Sequence, residues 1–164
     1  MLRIAFILAV LTTPSFLQAS TINTVMSTAQ MRGEATFRFI GLPLYQARLY
    51  TNDGAPLDWS RDFGIELNYL RNLTKKDLVE STLKELDRIG HPLPVRDQLS
   101  RCFDDVSKGD QYLAVSRGQE QIGFWRNGTR VCTLTHPMIK QRFMAIFVGQ
   151  NTRSKAFTRK LKGE

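Results

Sequence analysis

The chain has 164 residues, 42% of them hydrophobic and 10% aromatic, and carries a formal charge of +8. That length accommodates one domain with a core of its own, and the apolar content excludes a disordered chain. The two cysteines and two histidines, Cys102, Cys132, His91 and His136, show no metal-ligand spacing, so no metal centre is expected.

Residues 1–19 read as a secretory signal peptide. Arg3 precedes an apolar run from Ile4 to Leu11, Pro14 breaks it, and Leu17-Gln18-Ala19 offers a cleavage site ending in a small residue. The run falls well short of the ~20 apolar residues that span a bilayer. The expectation is therefore cleavage near Ala19 and a periplasmic or secreted domain over residues 20–164, with no transmembrane segment. Loss of Arg3 leaves 22 basic against 15 acidic residues, a net +7. In the cytosol this balance would favour nucleic acid as a partner; outside it, anionic lipid head groups, fatty carboxylates and an anionic envelope surface take that place.

Gly33 to Phe39 alternates apolar and polar residues, as a half-buried strand does, and Gly41-Leu42-Pro43 turns the chain into a second strand over Leu44 to Tyr50. Tyr45, Ala47 and Leu49 share one face of that strand. After Asn52-Asp53-Gly54 and a loop carrying Trp59, Ile65 to Tyr69 forms a third strand. A helix follows, capped by Thr74 with Asp77 as its capping-box partner, Leu73 placed to staple against Leu78, and Gly90 at its end. Its apolar stripe is Leu78, Val79, Thr82, Leu83, Leu86 and Ile89; Lys75, Lys76, Glu80, Lys84, Glu85 and Arg88 are expected to face away.

Val95, Leu99, Cys102 and Phe103 mark a shorter helix. Three strands follow, Tyr112 to Ser116, Gln121 to Trp125 and Arg130 to Leu134, the last two joined by the hairpin signal Asn127-Gly128. Thr135 and Pro137 suit the start of a helix bearing Ile139, Phe143, Ile146 and Phe147, and a last helix runs from about Arg153 within a basic tail. Blocks of strands and helices imply an α+β domain, a mostly antiparallel sheet covered on one face by helices. Cys102 and Cys132 either pair in an oxidising compartment or stand as two separate buried thiols.

There is no P-loop, nucleophile elbow, zinc-protease motif or dinucleotide fingerprint, so neither catalytic residues nor a cofactor are assigned. The first hairpin is the candidate ligand site. The Tyr45 hydroxyl with Arg38 or Arg48 would grip an anionic head group, and Phe37 and Tyr69 would line an apolar cleft. Strand alternation offers a simpler alternative, in which both arginines face solvent on the opposite side.

The stretch Gly33-Glu34-Ala35-Thr36-Phe37-Arg38-Phe39-Ile40-Gly41-Leu42-Pro43-Leu44-Tyr45-Gln46-Ala47-Arg48-Leu49-Tyr50 resembles the chalcone isomerase-like family, in particular its short bacterial exported members. Ile65 to Leu70, Arg88-Ile89-Gly90, Asp105 to Asp110 and Phe124 to Gly128 continue the resemblance over nearly the whole chain beyond residue 19. It implies an open-faced β-sandwich with a ligand cleft between a large antiparallel sheet and a helical layer. The plant enzymes of the family use an arginine on the first strand pair; Ala35 stands at that position here, and Tyr45 falls near the family's threonine. The expected function is therefore a non-catalytic domain binding a small amphipathic or fatty-acid-like ligand. An isomerase or lyase acting on an enone, and an envelope interaction module using the basic C-terminal helix, are the alternatives.

Overall fold

A computed structural model describes residues 21–164; the signal-peptide reading of residues 1–19 lies outside them. The elements in chain order are α1 (Thr21–Val25), β1 (Ala29–Phe39), β2 (Leu42–Asn52), β3 (Gly64–Tyr69), α2 (Lys75–Arg88), α3 (Arg96–Cys102), β4 (Gln111–Arg117), β5 (Gln121–Arg126), β6 (Thr129–Thr135), α4 (Ile139–Val148) and α5 (Lys155–Leu161). The six strands form one antiparallel sheet in the order β1-β2-β3-β4-β5-β6. This is the open-faced α+β arrangement expected from the order of strands and helices. Among the described residues no helix is long and apolar enough to cross a membrane.

Side-chain alternation divides the sheet into two faces. Ala35, Ala47, Leu49, Ile65, Tyr69, Tyr112, Ala114, Ile122, Phe124 and Leu134 pack under the helices in the main core. On the other face Leu113, Val115, Trp125 and Ala29 pack against Ile22 of α1. That helix is not foreseen from the sequence, because five residues are too few to show a helical period.

Several local expectations are met closely. Thr74 and Asp77 form the capping box, and Leu73 packs against the main core. Asn127-Gly128 makes the β5–β6 turn with φ of 47° and 85°. Helix α4 departs from expectation: it begins at Ile139, after Met138 at φ 58°, rather than at Pro137. A local turn and a tertiary partner substitute for a side-chain cap there, the Ile139 amide donating to the His136 carbonyl three residues before it and that of Lys140 to the Gln119 carbonyl. The Lys140 ammonium is buried with it and donates to the Arg61 carbonyl at 2.5 Å.

Two devices protect the sheet edges. At β6, Cys102 and Cys132 are joined in a disulfide with Cα atoms 5.2 Å apart, and the Gln98 side chain both donates to and accepts from Thr135 at 3.0 and 2.9 Å. At β1, α5 lies so close that a Cβ on Gly33 would stand 2.5 Å from the carbonyl oxygens of Lys160 and Leu161.

Reducing the disulfide, or replacing Cys132 with Ser, should lower unfolding stability by about 3.5 kcal/mol, as expected for a thirty-residue separation, and a urea melt with and without reductant measures it. Gly33→Ala should cost about 1–3 kcal/mol and speed amide exchange selectively in α5, because backbone rather than a yielding side chain meets the new methyl.

Candidate functional site

The space between sheet and helices is a cavity of about 550 Å³. Its floor is aromatic because β1, β2, β3 and β4 each direct ring-bearing positions inward: Phe37, Tyr45, Tyr69 and Tyr112 lie in successive strands. Helices supply the roof through Leu78, Phe143, Phe147 and Phe157. Tyr45 sits at the centre of the cluster, its ring stacked on Phe37 at 5.2 Å and edge-on to Tyr69, Phe157 and Phe147 at 6.3, 6.2 and 6.4 Å. The accessible part of Tyr45 faces this cavity.

One corner of the cavity is charged. Glu85, on α2, is buried and lies between two guanidiniums. Arg88 holds its Oε2 at 2.9 Å, and Arg153, on the α4–α5 connection, pairs with its Oε1. Arg88 also donates to the Asn151 carbonyl at 2.8 Å, and the Thr152 and Thr158 hydroxyls meet at 2.7 Å, so the connection carrying Arg153 is pinned on both sides. One carboxylate thus serves two cations, leaving the corner with a formal surplus of one positive charge.

Burial raises the Tyr45 phenol well above its ordinary value of 10.0, with the Glu85 carboxylate adding to the rise and Arg153 opposing it. Burial likewise pushes up Tyr69. Both hydroxyls stay protonated across the physiological range, and Tyr45 is therefore a hydrogen-bond donor next to the charged corner.

Phe37, Tyr45 and Tyr69 line the cavity together, whereas Arg38 and Arg48 do not. Arg48 occupies the opposite face, where the register aligns Glu34, Arg48 and Glu66 across three strands and the guanidinium meets the two carboxylates at 2.6 and 3.3 Å. Arg38 lies exposed by the β1–β2 turn and donates to the Gly41 carbonyl at 3.2 Å. The placement of these arginines in the cleft is corrected by strand alternation, since the neighbours of an inward Phe37 and Ala47 must point outward. Glu85, expected to face solvent, is instead buried. Its spacing of seven from Leu78 puts it on the apolar stripe, which is the signal that would have found it. Arg153 gave no such signal within a basic tail.

No protein-family model matches the chain, and no curated protein matches it in sequence. Among solved structures, the crystal structure of an Arabidopsis thaliana fatty-acid binding protein is similar with a TM-score of 0.63 at 10% identity, over 83% of this chain and 87% of that one. The likeness shows that the two share a fold.

All four tyrosines, Tyr45, Tyr50, Tyr69 and Tyr112, have phenols raised above 10.0, first by burial. Neutral tyrosines therefore contribute stability that is fully present below about pH 10 and declines as pH rises from there towards their folded-state values. Absorbance titration should show the tyrosinate transition displaced above pH 10 in the folded protein, and the urea midpoint should fall between pH 9 and 11. A normal step near pH 10 with unchanged stability would contradict the buried assignment.

Proposed function

We propose that this chain is a non-catalytic member of the chalcone isomerase-like group that binds a small amphipathic ligand of the fatty-acid type. The observation that carries the reading is an aromatic-floored cavity with a buried ion cluster, Glu85 with Arg88 and Arg153, at one corner. Its volume of about 550 Å³ lies within the 300–1,000 Å³ typical of small-molecule sites. An apolar chain would lie along Phe37, Tyr45 and Tyr69, displacing water from rings that gain nothing from it. The shared fold with a fatty-acid binding protein supports the same class of ligand.

The head group would be received at Arg153 and the Tyr45 hydroxyl. A carboxylate arriving there takes over Arg153 while Arg88 keeps Glu85, so both buried carboxylates end with a guanidinium. The isomerase alternative needs a cation where Ala35 stands, and alanine supplies none. Export to an oxidising compartment fits the Cys102–Cys132 disulfide, and a mature N terminus at Ser20 is the expectation for the protein recovered from its host.

Binding of palmitate and of hexadecanol, measured by titration calorimetry, tests the assignment of both ends. The wild type should favour the acid. Arg153→Gln should weaken acid binding by about 10- to 100-fold, the range for a lost charge-assisted bond, and leave the alcohol within twofold. Tyr45→Phe should cost a smaller factor, and no chalcone should be turned over. Equal affinity of Arg153→Gln and wild type for the acid would sink the head-group assignment, and failure of both ligands to bind would sink the reading itself.

A further inference from the structure

Three of the chain's two-residue turns place both central residues in the left-handed region: Ile40-Gly41, Asp53-Gly54 and Asn127-Gly128, with leading φ values of 48°, 54° and 47°. Asp and Asn tolerate that conformation, and Gly follows each of them. The first turn differs by leading with a β-branched residue, which resists the left-handed region. Ile40 is also the most exposed large hydrophobic side chain among the described residues, at 85%, and its neighbours Phe39 and Leu42 are 49% and 52% exposed. Local backbone preference and burial both argue against Ile at this position, so an external apolar contact is what it would satisfy.

The surroundings specify that contact. Phe39 and Leu44 also line the cavity, so the turn stands at its mouth. The Leu70 amide donates to the Leu44 carbonyl at 2.9 Å, which brings Arg71 to the same end of the sheet. Lys108 joins it through its amide, which donates to Asn72 at 2.9 Å. Arg38, Arg71 and Lys108 are exposed and make no ion pair among the described residues. The acids at this end are engaged: Asp104 and Asp110 pair with Lys75 and Arg126, Asp105 accepts from the Lys75 amide, and Asp77 closes the helix cap. An apolar turn flanked by unpaired cations has the two attractions that hold a peripheral protein on an anionic bilayer.

We propose that the Phe39–Leu42 turn is an interfacial anchor that seats the cavity mouth on an anionic lipid surface. A second copy of the chain is the weaker occupant, because three side chains on a hairpin tip offer far less than the roughly 600 Å² per partner of even a small specific interface. Arg38 is placed to reach the phosphate level while Ile40 and Leu42 enter the acyl boundary. Docking requires no bound ligand; its use, exchange of an amphipathic molecule between bilayer and cavity, rests on the function proposed above.

Flotation with vesicles of phosphatidylglycerol and phosphatidylcholine tests this on the purified protein, every form carrying the same N terminus. Ile40→Asn combined with Leu42→Ser should reduce partition at least tenfold while leaving the melting temperature and palmitate affinity in vesicle-free buffer unchanged, since Asn suits the left-handed turn. Replacing Arg38, Arg71 and Lys108 together with Gln should abolish the preference for anionic over neutral vesicles. Leu42→Trp should shift its emission to the blue on vesicle addition. Undiminished binding of the turn variant overturns the proposal, as does binding that instead follows Lys155, Arg159 and Lys160 changed to Gln, or a wild-type dimer that the turn substitutions split without vesicle binding. Loss of palmitate binding in every form, with vesicle partition still turn-dependent, would remove the ligand reading and leave the anchor standing.

Discussion

The register between β1 and β2 is the constraint on which the site depends. Pairing Phe37 with Tyr45 and Ala35 with Ala47 sends two rings and two small residues under the helices. The same register places Glu34, Arg48 and Glu66 in one row on the opposite face. A slip of one residue would drive that ion row into the cavity and expose the aromatic floor, so burial and charge pairing select the same alignment. Ala35 and Ala47 are buried in the core, and the larger rings of Phe37 and Tyr45 line the cavity.

Charge placement organises the roof. Glu85 is buried on the stripe of α2, a position that an apolar residue would fill more cheaply. Its two arginines reach it from different directions, Arg88 along its own helix and Arg153 from the α4–α5 connection. The carboxylate thereby ties α2 to the α4–α5 connection. Tyr45 sits below it with a phenol that burial keeps neutral. A buried ion cluster thus stands at one corner of a site whose floor is aromatic, the arrangement that the proposed amphipathic ligand would match.

The legibility of these features in the sequence followed their physical range. The first three strands showed through period-two alternation, the last three through short apolar runs and the Asn127-Gly128 hairpin signal, and α2 through its cap and stripe, because these signals are local. Helix α1 was too short for its period to register, and β1 begins earlier than Gly33 because its first residues pair with the end of β2 rather than announce themselves by alternation. Phe37, Tyr45 and Tyr69 were recognisable as inward positions. Arg153 was not, since its role depends on a contact with Glu85 from a distant part of the chain. The cysteine pair was undecidable for the same reason, as spacing of thirty residues carries no information on geometry until α3 is docked against β6.

A crystal structure of the protein grown with palmitate tests the central claim most directly. The account predicts the acyl chain against Phe37, Tyr45 and Tyr69, with its carboxylate within hydrogen-bond distance of the Arg153 guanidinium and Glu85 retained by Arg88. A chain bound outside the space between sheet and helices, or a carboxylate resting on Arg38 or Arg48, would contradict it.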